Sequence, residues 1–337
     1  MRFTIIGAGT IGLTYGHLLS RMHDVDYVVH DGRRSAYEGS FHLHLHDLRN
    51  GTDSVREFTP RLLSDVSASE ADAILVMAPG DRLPELLPHP ASSAPPHTPL
   101  LLMLDRWGLE REARLHLPRS RFHLGFPSQV GGGRQGRHVH ATVFRTGTVL
   151  ETGHAAGRRV MDAIEEAFRA AGLSVARQRR MSDWLRIHCL QQSLTAAPLL
   201  DAGGYDELIG DRARARDLVL AFREGLRTCR AAGSPPGLLW PSPLFRLPAP
   251  VVTRLMQGMF ADADVRMMVI RHSAHGMPEW ISGFRDIHAS AMAAGLSTPM
   301  LDRRARVLDR YAGDPGAPAA DGPPQPSWTG STRGDGR

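Results

Sequence analysis

The chain has 337 residues, 42% of them hydrophobic and 22% charged, a length and balance that suit two globular domains of ordinary size. No apolar run approaches the roughly 20 residues that span a bilayer, and no signal-peptide pattern precedes the first strand, so a membrane protein is excluded and the cytoplasm is the expected location. Net charge is +5, but the basic residues are interspersed with acids and only 6% of residues are aromatic, which argues against a nucleic-acid surface. All 40 basic residues are arginine. Chemistry that needs a lysine ammonium or a Schiff base is therefore excluded, because a guanidinium stays charged near neutrality. Cys189 and Cys229 are the only cysteines, too few for a disulfide framework or a cysteine-based zinc site.

Residues 3–6 read as a short apolar strand, residues 7–12 as a glycine turn, and residues 11–20 carry apolar side chains at helical spacing. Residues 26–30, 73–78 and 100–104 read as further strands separated by helix-length segments, the pattern of a parallel α/β sheet. In FHLHLHD the three imidazoles of His42, His44 and His46 would share one face of a strand. Alternate residues there stand about 7 Å apart, too far for one ion, so a solvated strand edge is expected and no metal site. Residues 122–151, with three successive glycines at 131–133, read as strand and turn that finish the sheet; a helix over 155–171 closed by Gly172 and a last strand over 174–177 follow.

From Met181 the pattern turns helical, with segments at 184–200, 211–232, 249–262 and 283–295, a proline-rich connector over 234–250, and a Pro, Gly and Ser tail over 313–337 expected to be disordered. The expected fold class is α/β. A Rossmann-type doubly wound domain over 1–178 is followed by an all-helical substrate and dimerisation domain over 179–312.

Gly7-Ala8-Gly9-Thr10-Ile11-Gly12 matches GxGxxG between a strand and a helix. Gly7 permits the tight turn, Gly9 lets backbone approach a pyrophosphate, Gly12 lets the helix pack on the strand, and the helix N-terminus at Thr10 and Ile11 offers amide donors to phosphate. Asp31, at the end of the second strand, stands where an acid commonly bonds the adenosine ribose and favours NAD. Arg33 and Arg34 follow at once and suit a 2'-phosphate, which leaves NADP open.

This layout resembles the ketopantoate reductase family over about residues 1–310. The resemblance is carried by Gly7 to Gly12, by His188-Cys189-Leu190-Gln191-Gln192-Ser193-Leu194-Thr195-Ala196, which is similar to the family's NxxxNPLTA helix, and by Glu279 followed by Gly295-Leu296-Ser297-Thr298-Pro299. It implies NADP or NAD as cofactor, a small-molecule substrate bound between the domains, and a homodimer. The departures are also informative. The family's catalytic lysine falls in Trp184-Leu185-Arg186-Ile187-His188, where Arg186 can polarise a carbonyl and His188 can act as an acid. Trp107 stands for an asparagine before Gly108, Met267 for the serine that grips the substrate carboxylate, Arg271 for a nearby aspartate, and Pro79 for another lysine.

The expected catalytic residues are thus Arg186, His188 and Glu279, with Trp107, Trp184, Gln192, Met267 and Arg271 lining the pocket. The tryptophans and Met267 point either to a more apolar pocket or to ordinary core filling. His272 and His275 would join Glu279 only on a continuous helix, which Gly276 and Pro278 are expected to break. These residues suggest NAD(P)H-dependent reduction of a carbonyl compound other than ketopantoate. The alternative is a non-redox cyclase or isomerase acting on a larger apolar molecule, and a weaker third reading is a ligand-binding or regulatory protein.

Overall fold

Leucine and β-branched runs buried on both faces set the centre of the molecule, as strands covered by helices on either side require. The computed structural model describes residues 1–153 and 157–312, without the side chains of 31, 263, 264, 267, 268, 271–275 and 312. The N-terminal part contains β1 (Arg2–Ile6), α1 (Thr10–Leu19), β2 (Asp24–Val28), β3 (Phe41–Asp47), β4 (Thr52–Phe58), β5 (Arg61–Leu62), β6 (Ala73–Val76), α2 (Leu83–Leu86), α3 (Pro88–Ser93), β7 (Leu100–Met103) and α4 (Leu109–His116). It continues with β8 (Phe122–Phe126), β9 (Val130–Gln135), β10 (His138–Val143), β11 (Thr148–Glu151), α5 (Arg158–Ala170) and β12 (Val175–Gln178). The helical part is α6 (Met181–Ala202), α7 (Tyr205–Gly210), α8 (Arg212–Ala231), α9 (Ala249–Phe260), α10 (Ala263–Ala293) and α11 (Pro299–Ala312).

The main sheet has the order β12-β11-β8-β7-β6-β1-β2-β5, and β1, β2, β5, β6, β7 and β8 run parallel. β11 runs antiparallel to β8, so the sheet is mixed rather than wholly parallel. The segment 122–151 does not all finish this sheet. β8 and β11 do, whereas β9 and β10 join β3 and β4 in a second sheet of order β4-β3-β10-β9. Its apolar face, with Phe41, Leu43, Val139 and Ala141, shares a core with Leu13, Leu18 and the β1 residues Phe3 and Ile5.

β3 is therefore an inner strand and not an edge. Its pairing with β10 sets His42 opposite His138 and His44 opposite His140, and the rings stack at centroid distances of 5.1 and 4.5 Å. Among the described residues, no three His, Cys, Asp or Glu side chains converge to hold a metal ion. None of the described helices is long and apolar enough to cross a membrane.

In the helical part, α6 and α8 fall close to the segments their periodicity outlines, and Asp211 caps α8 by accepting from the amides of Ala213 and Arg214. α10 differs from expectation, because it runs unbroken through Gly276 and Pro278 from Ala263 to Ala293. A proline inside a helix costs about 3 kcal/mol. Here Phe284, Ile287 and Ala291 pack into one core with Leu190 and Leu194 of α6 and Phe222 of α8, and that burial outweighs the local penalty. Close approach of the two helices needs small residues: a Cβ on Gly283 would lie 2.3 Å from the Ser193 Oγ. α11 was not expected from the sequence pattern. The first residues of the helix expected over 155–171 and the whole tail over 313–337 lie outside the described residues.

Candidate functional site

The glycine turn joins β1 to α1 at the carboxyl end of the parallel strands, where α/β sheets of this kind take their ligands. Gly7 has a φ of +107°, and a Cβ there would lie 2.3 Å from the Met77 carbonyl oxygen, so only glycine fits. A Cβ on Gly12 would meet the Gly7 carbonyl oxygen at 1.9 Å, the close approach that lets α1 lie on the strand. Gly9 is exposed, and no atom lies within 4 Å of where its Cβ would be. The same residue is the N-cap of α1 and brings no side chain to the first turn, which leaves the amides at Thr10 and Ile11 for a ligand. The three glycines thus shape a cradle that fits a dinucleotide pyrophosphate.

The specificity residues are spread around this cradle. Arg34 is committed to the chain itself, with its Nη1 donating to the Leu63 carbonyl at 2.7 Å. Arg33 has its guanidinium 6.0 Å from the Tyr37 ring centroid, and the Asp31 side chain lies outside the described residues. A residue that sequence reasoning missed stands beside them. Arg134, on β9 of the second sheet, lies over the Tyr37 ring at 4.8 Å and reaches the Ala8 carbonyl in the glycine turn at 3.5 Å. Nothing in its local sequence marks it, since only the pairing of the second sheet brings it across the molecule.

A crevice lies between the ends of β6 and β7 on one side and helices α6 and α10 on the other, lined by Asp81, Asp105, Arg106, Gln192, Glu279 and Asp286 among others. The Gly80 amide, just past β6, donates to Glu279 Oε1 at 2.7 Å. Burial pushes the Glu279 carboxyl up to about 7, with the negative charges of Asp105 and Asp81 adding to the rise and the Gly80 amide opposing it. Asp105, just past β7, is 7% exposed, and its Oδ2 accepts from or shares a proton with His188 Nδ1 at 2.8 Å. Burial raises the Asp105 carboxyl above its ordinary range despite the hydrogen bond and charge of His188. His188 is itself held between Trp184, stacked at 5.1 Å, and Phe126 at 4.1 Å.

The structure brings Glu279, Gln192 and Trp107 to this crevice and ties His188 to it through Asp105. Arg186 goes elsewhere. Its Nη1 donates to the Ala232 carbonyl at 2.7 Å and to Ser234 Oγ at 2.6 Å at the end of α8, in a separate pocket, and its guanidinium lies 5.6 Å from the Trp107 ring. Trp184 and Trp107 are packed residues, as ordinary core filling requires, and the crevice wall combines the carboxylates with Trp107 and Trp280. The side chains of Met267 and Arg271 on α10, and of His272 and His275, lie outside the described residues. Asp105 was missed in the sequence. Its signal is positional, an acid directly after a buried parallel strand, where such strands present functional groups.

Fold and cradle together define a Rossmann-type nucleotide-binding protein with a helical second part. Residues 3–153 match the family model of ketopantoate reductase PanE/ApbA. No curated protein matches it in sequence. Among solved structures it is similar to D-mandelate dehydrogenase with NADH and anilino(oxo)acetate, at a TM-score of 0.70 and 15% identity over 92% of this chain and 97% of that one. It is also similar to a PanE/ApbA family ketopantoate reductase from Ralstonia eutropha JMP134, at a TM-score of 0.65 and 18% identity over 91% and 97%. A third likeness is to the dimeric ketopantoate reductase of Staphylococcus aureus, at 0.62 and 14% over 92% and 99%.

Proposed function

We propose that the protein is an NAD(P)H-dependent reductase of a carbonyl compound other than ketopantoate, working in the crevice beside the glycine turn. The observation that carries this reading is the cradle: Gly7 and Gly12 are filled to contact by backbone while Gly9 faces open space at a helix N-terminus. A reduced nicotinamide, when bound, supplies a hydride. The chain's own residues then have the remaining tasks. Gly7, Gly9, Gly12 and the amides at Thr10 and Ile11 hold the phosphates, with Arg33 and Arg134 as the cations nearest the Tyr37 side.

Glu279, protonated at and below about neutral pH, can give a proton to a carbonyl oxygen, and the His188–Asp105 pair can replace it. Arg186, engaged at the end of α8, holds α6 in place and acts as a positioning residue. The acidic wall disfavours both ketopantoate and a large apolar metabolite. Like the Staphylococcus aureus relative named above, the protein is expected to pair with a second copy.

Titration with NADH and with NADPH, followed by nicotinamide fluorescence, tests the reading. Saturable binding of either is expected; no binding of both at millimolar concentration would overturn it. In the reductase so identified, His188→Ala is expected to lower kcat, and undiminished turnover would remove His188 from the mechanism.

A further inference from the structure

We infer that the substrate of this crevice is an organic cation, with an ammonium or a protonated C=N beside the carbon that is reduced, and that Asp105 and Glu279 receive that charge. The inference rests on the reductase reading and names its substrate class. Four carboxylates line the crevice: Asp81 and Asp105 after the strands, and Glu279 and Asp286 on α10. Arg106 is the one arginine among the lining residues, and it is already in use. Its Nη1 donates to the Gly80 carbonyl at 2.9 Å, and its Nη2 lies 3.8 Å from Asp286 Oδ2.

A second observation points to a missing donor. Asp105 is more than nine-tenths buried, and its Oδ1 has no hydrogen-bond partner among the described residues, while Oδ2 is taken by His188. Buried carboxylate oxygens are ordinarily satisfied, so an orphaned one in a crevice wall marks the place of a donor group that arrives with the ligand. Among the described residues Glu279 accepts only the Gly80 amide and makes no ion pair. A carboxylate-bearing substrate would add a like charge beside these groups, whereas an ammonium would neutralise them and complete the Asp105 hydrogen bonds.

The choice also suits a chain without lysine. Hydride addition to a protonated C=N forms the new C–H bond, sends the π pair to nitrogen and leaves a neutral amine, with a nicotinamide as the hydride source that is oxidised. No proton then has to reach an oxygen. With an ammonium beside a carbonyl, Glu279 meets the ammonium as a carboxylate and the His188–Asp105 pair supplies the proton to the alkoxide oxygen as the hydride reaches carbon.

The test uses the full chain, with and without NADH or NADPH, at a pH above the Glu279 value of about 7. Calorimetry compares isobutylammonium with isovalerate, which share the isobutyl group and carry head groups of opposite charge. Isobutylammonium is expected to bind at least ~10-fold more tightly, and Asp105→Asn and Glu279→Gln are each expected to remove most of that preference. Equal or tighter binding of isovalerate, no binding of either probe, or a preference that survives both substitutions would overturn the inference. Failure of both cofactors to bind would strike the reductase reading instead, because the amine preference is read on the chain alone as well. Competition by aminoacetone and by methylpyrroline then separates the sources: the stronger competitor shows whether the charge stands beside the reacting bond or on it.

Discussion

Among the described residues, the histidine–carboxylate pairs His123–Glu151 and His188–Asp105 each hold a buried carboxylate, and they differ in one neighbour. On the main sheet, His123 Nδ1 lies 2.7 Å from Glu151 Oε1, and Arg119 Nη2 lies 2.5 Å from the other carboxylate oxygen. Beside the crevice, His188 Nδ1 lies 2.8 Å from Asp105 Oδ2, and among the described residues no arginine takes the second oxygen. Burial raises both carboxyls. At Glu151 the hydrogen bonds from His123 and Arg119 and the arginine charge outweigh it and hold the group below its usual range, while at Asp105 burial wins. One guanidinium thus separates a closed structural ion cluster from an open, charge-poised site.

That contrast can be broken most directly by removing one carboxylate from each pair. Glu151→Gln leaves Arg119 without its buried counter-charge and is expected to cost about 3–5 kcal/mol in urea unfolding. Asp105→Asn replaces a carboxylate that already has an orphaned oxygen and is expected to cost less than about 1.5 kcal/mol. Equal losses in the two variants would show that the pairs are alike after all.

The pH dependence sharpens the same contrast, because the two sites carry opposite signs. Glu279 has a folded value of about 7 against an ordinary 4.5, so its contribution to stability is fully present below 4.5 and is lost as pH rises through 7. The change is on the order of 3 kcal/mol, and the urea midpoint of Glu279→Gln should not show this fall. Glu151, held low, contributes stability above its ordinary range that disappears as pH falls. A midpoint of the parent chain that climbs steadily from pH 4.5 to 7 would contradict the assignment at Glu279.

Smaller effects are expected at the arginines. Arg186→Met removes the bonds to Ala232 and Ser234 and is expected to cost about 1–2 kcal/mol in stability, with cofactor affinity unchanged. Loss of kcat without loss of stability would return that residue to the chemistry. Arg33→Ala is expected to weaken NADPH by a few-fold and NADH hardly at all, as the loss of one exposed charge allows, and equal weakening of both would take Arg33 away from any 2'-phosphate.

The glycine turn, the buried strands and the long amphipathic helices were legible because local spacing fixes them: three glycines at set offsets, apolar runs at period two or unbroken, and Asp211 before a helical stripe. What was not legible depends on partners distant in the chain. Residues 130–143 look like a continuation of the first sheet, and only pairing of β10 with β3, nearly a hundred residues earlier, shows them as part of a second. Pro278 reads as a helix stop, and only packing against α6 and α8 keeps α10 continuous through it. At the site, Glu279 and His188 were marked by their motifs. The role of Asp105 and the diversion of Arg186 follow from which groups fold against them, a matter of burial that no local pattern records.

The bond from the Gly80 amide to Glu279 joins positions 199 residues apart, one at the end of a sheet strand and the other midway along α10. It is a single backbone proton held by a side chain from the opposite half. Deuterium uptake at that amide therefore times the parting of sheet and helices, so the breathing of the crevice can be followed at one resonance before any substrate is in hand.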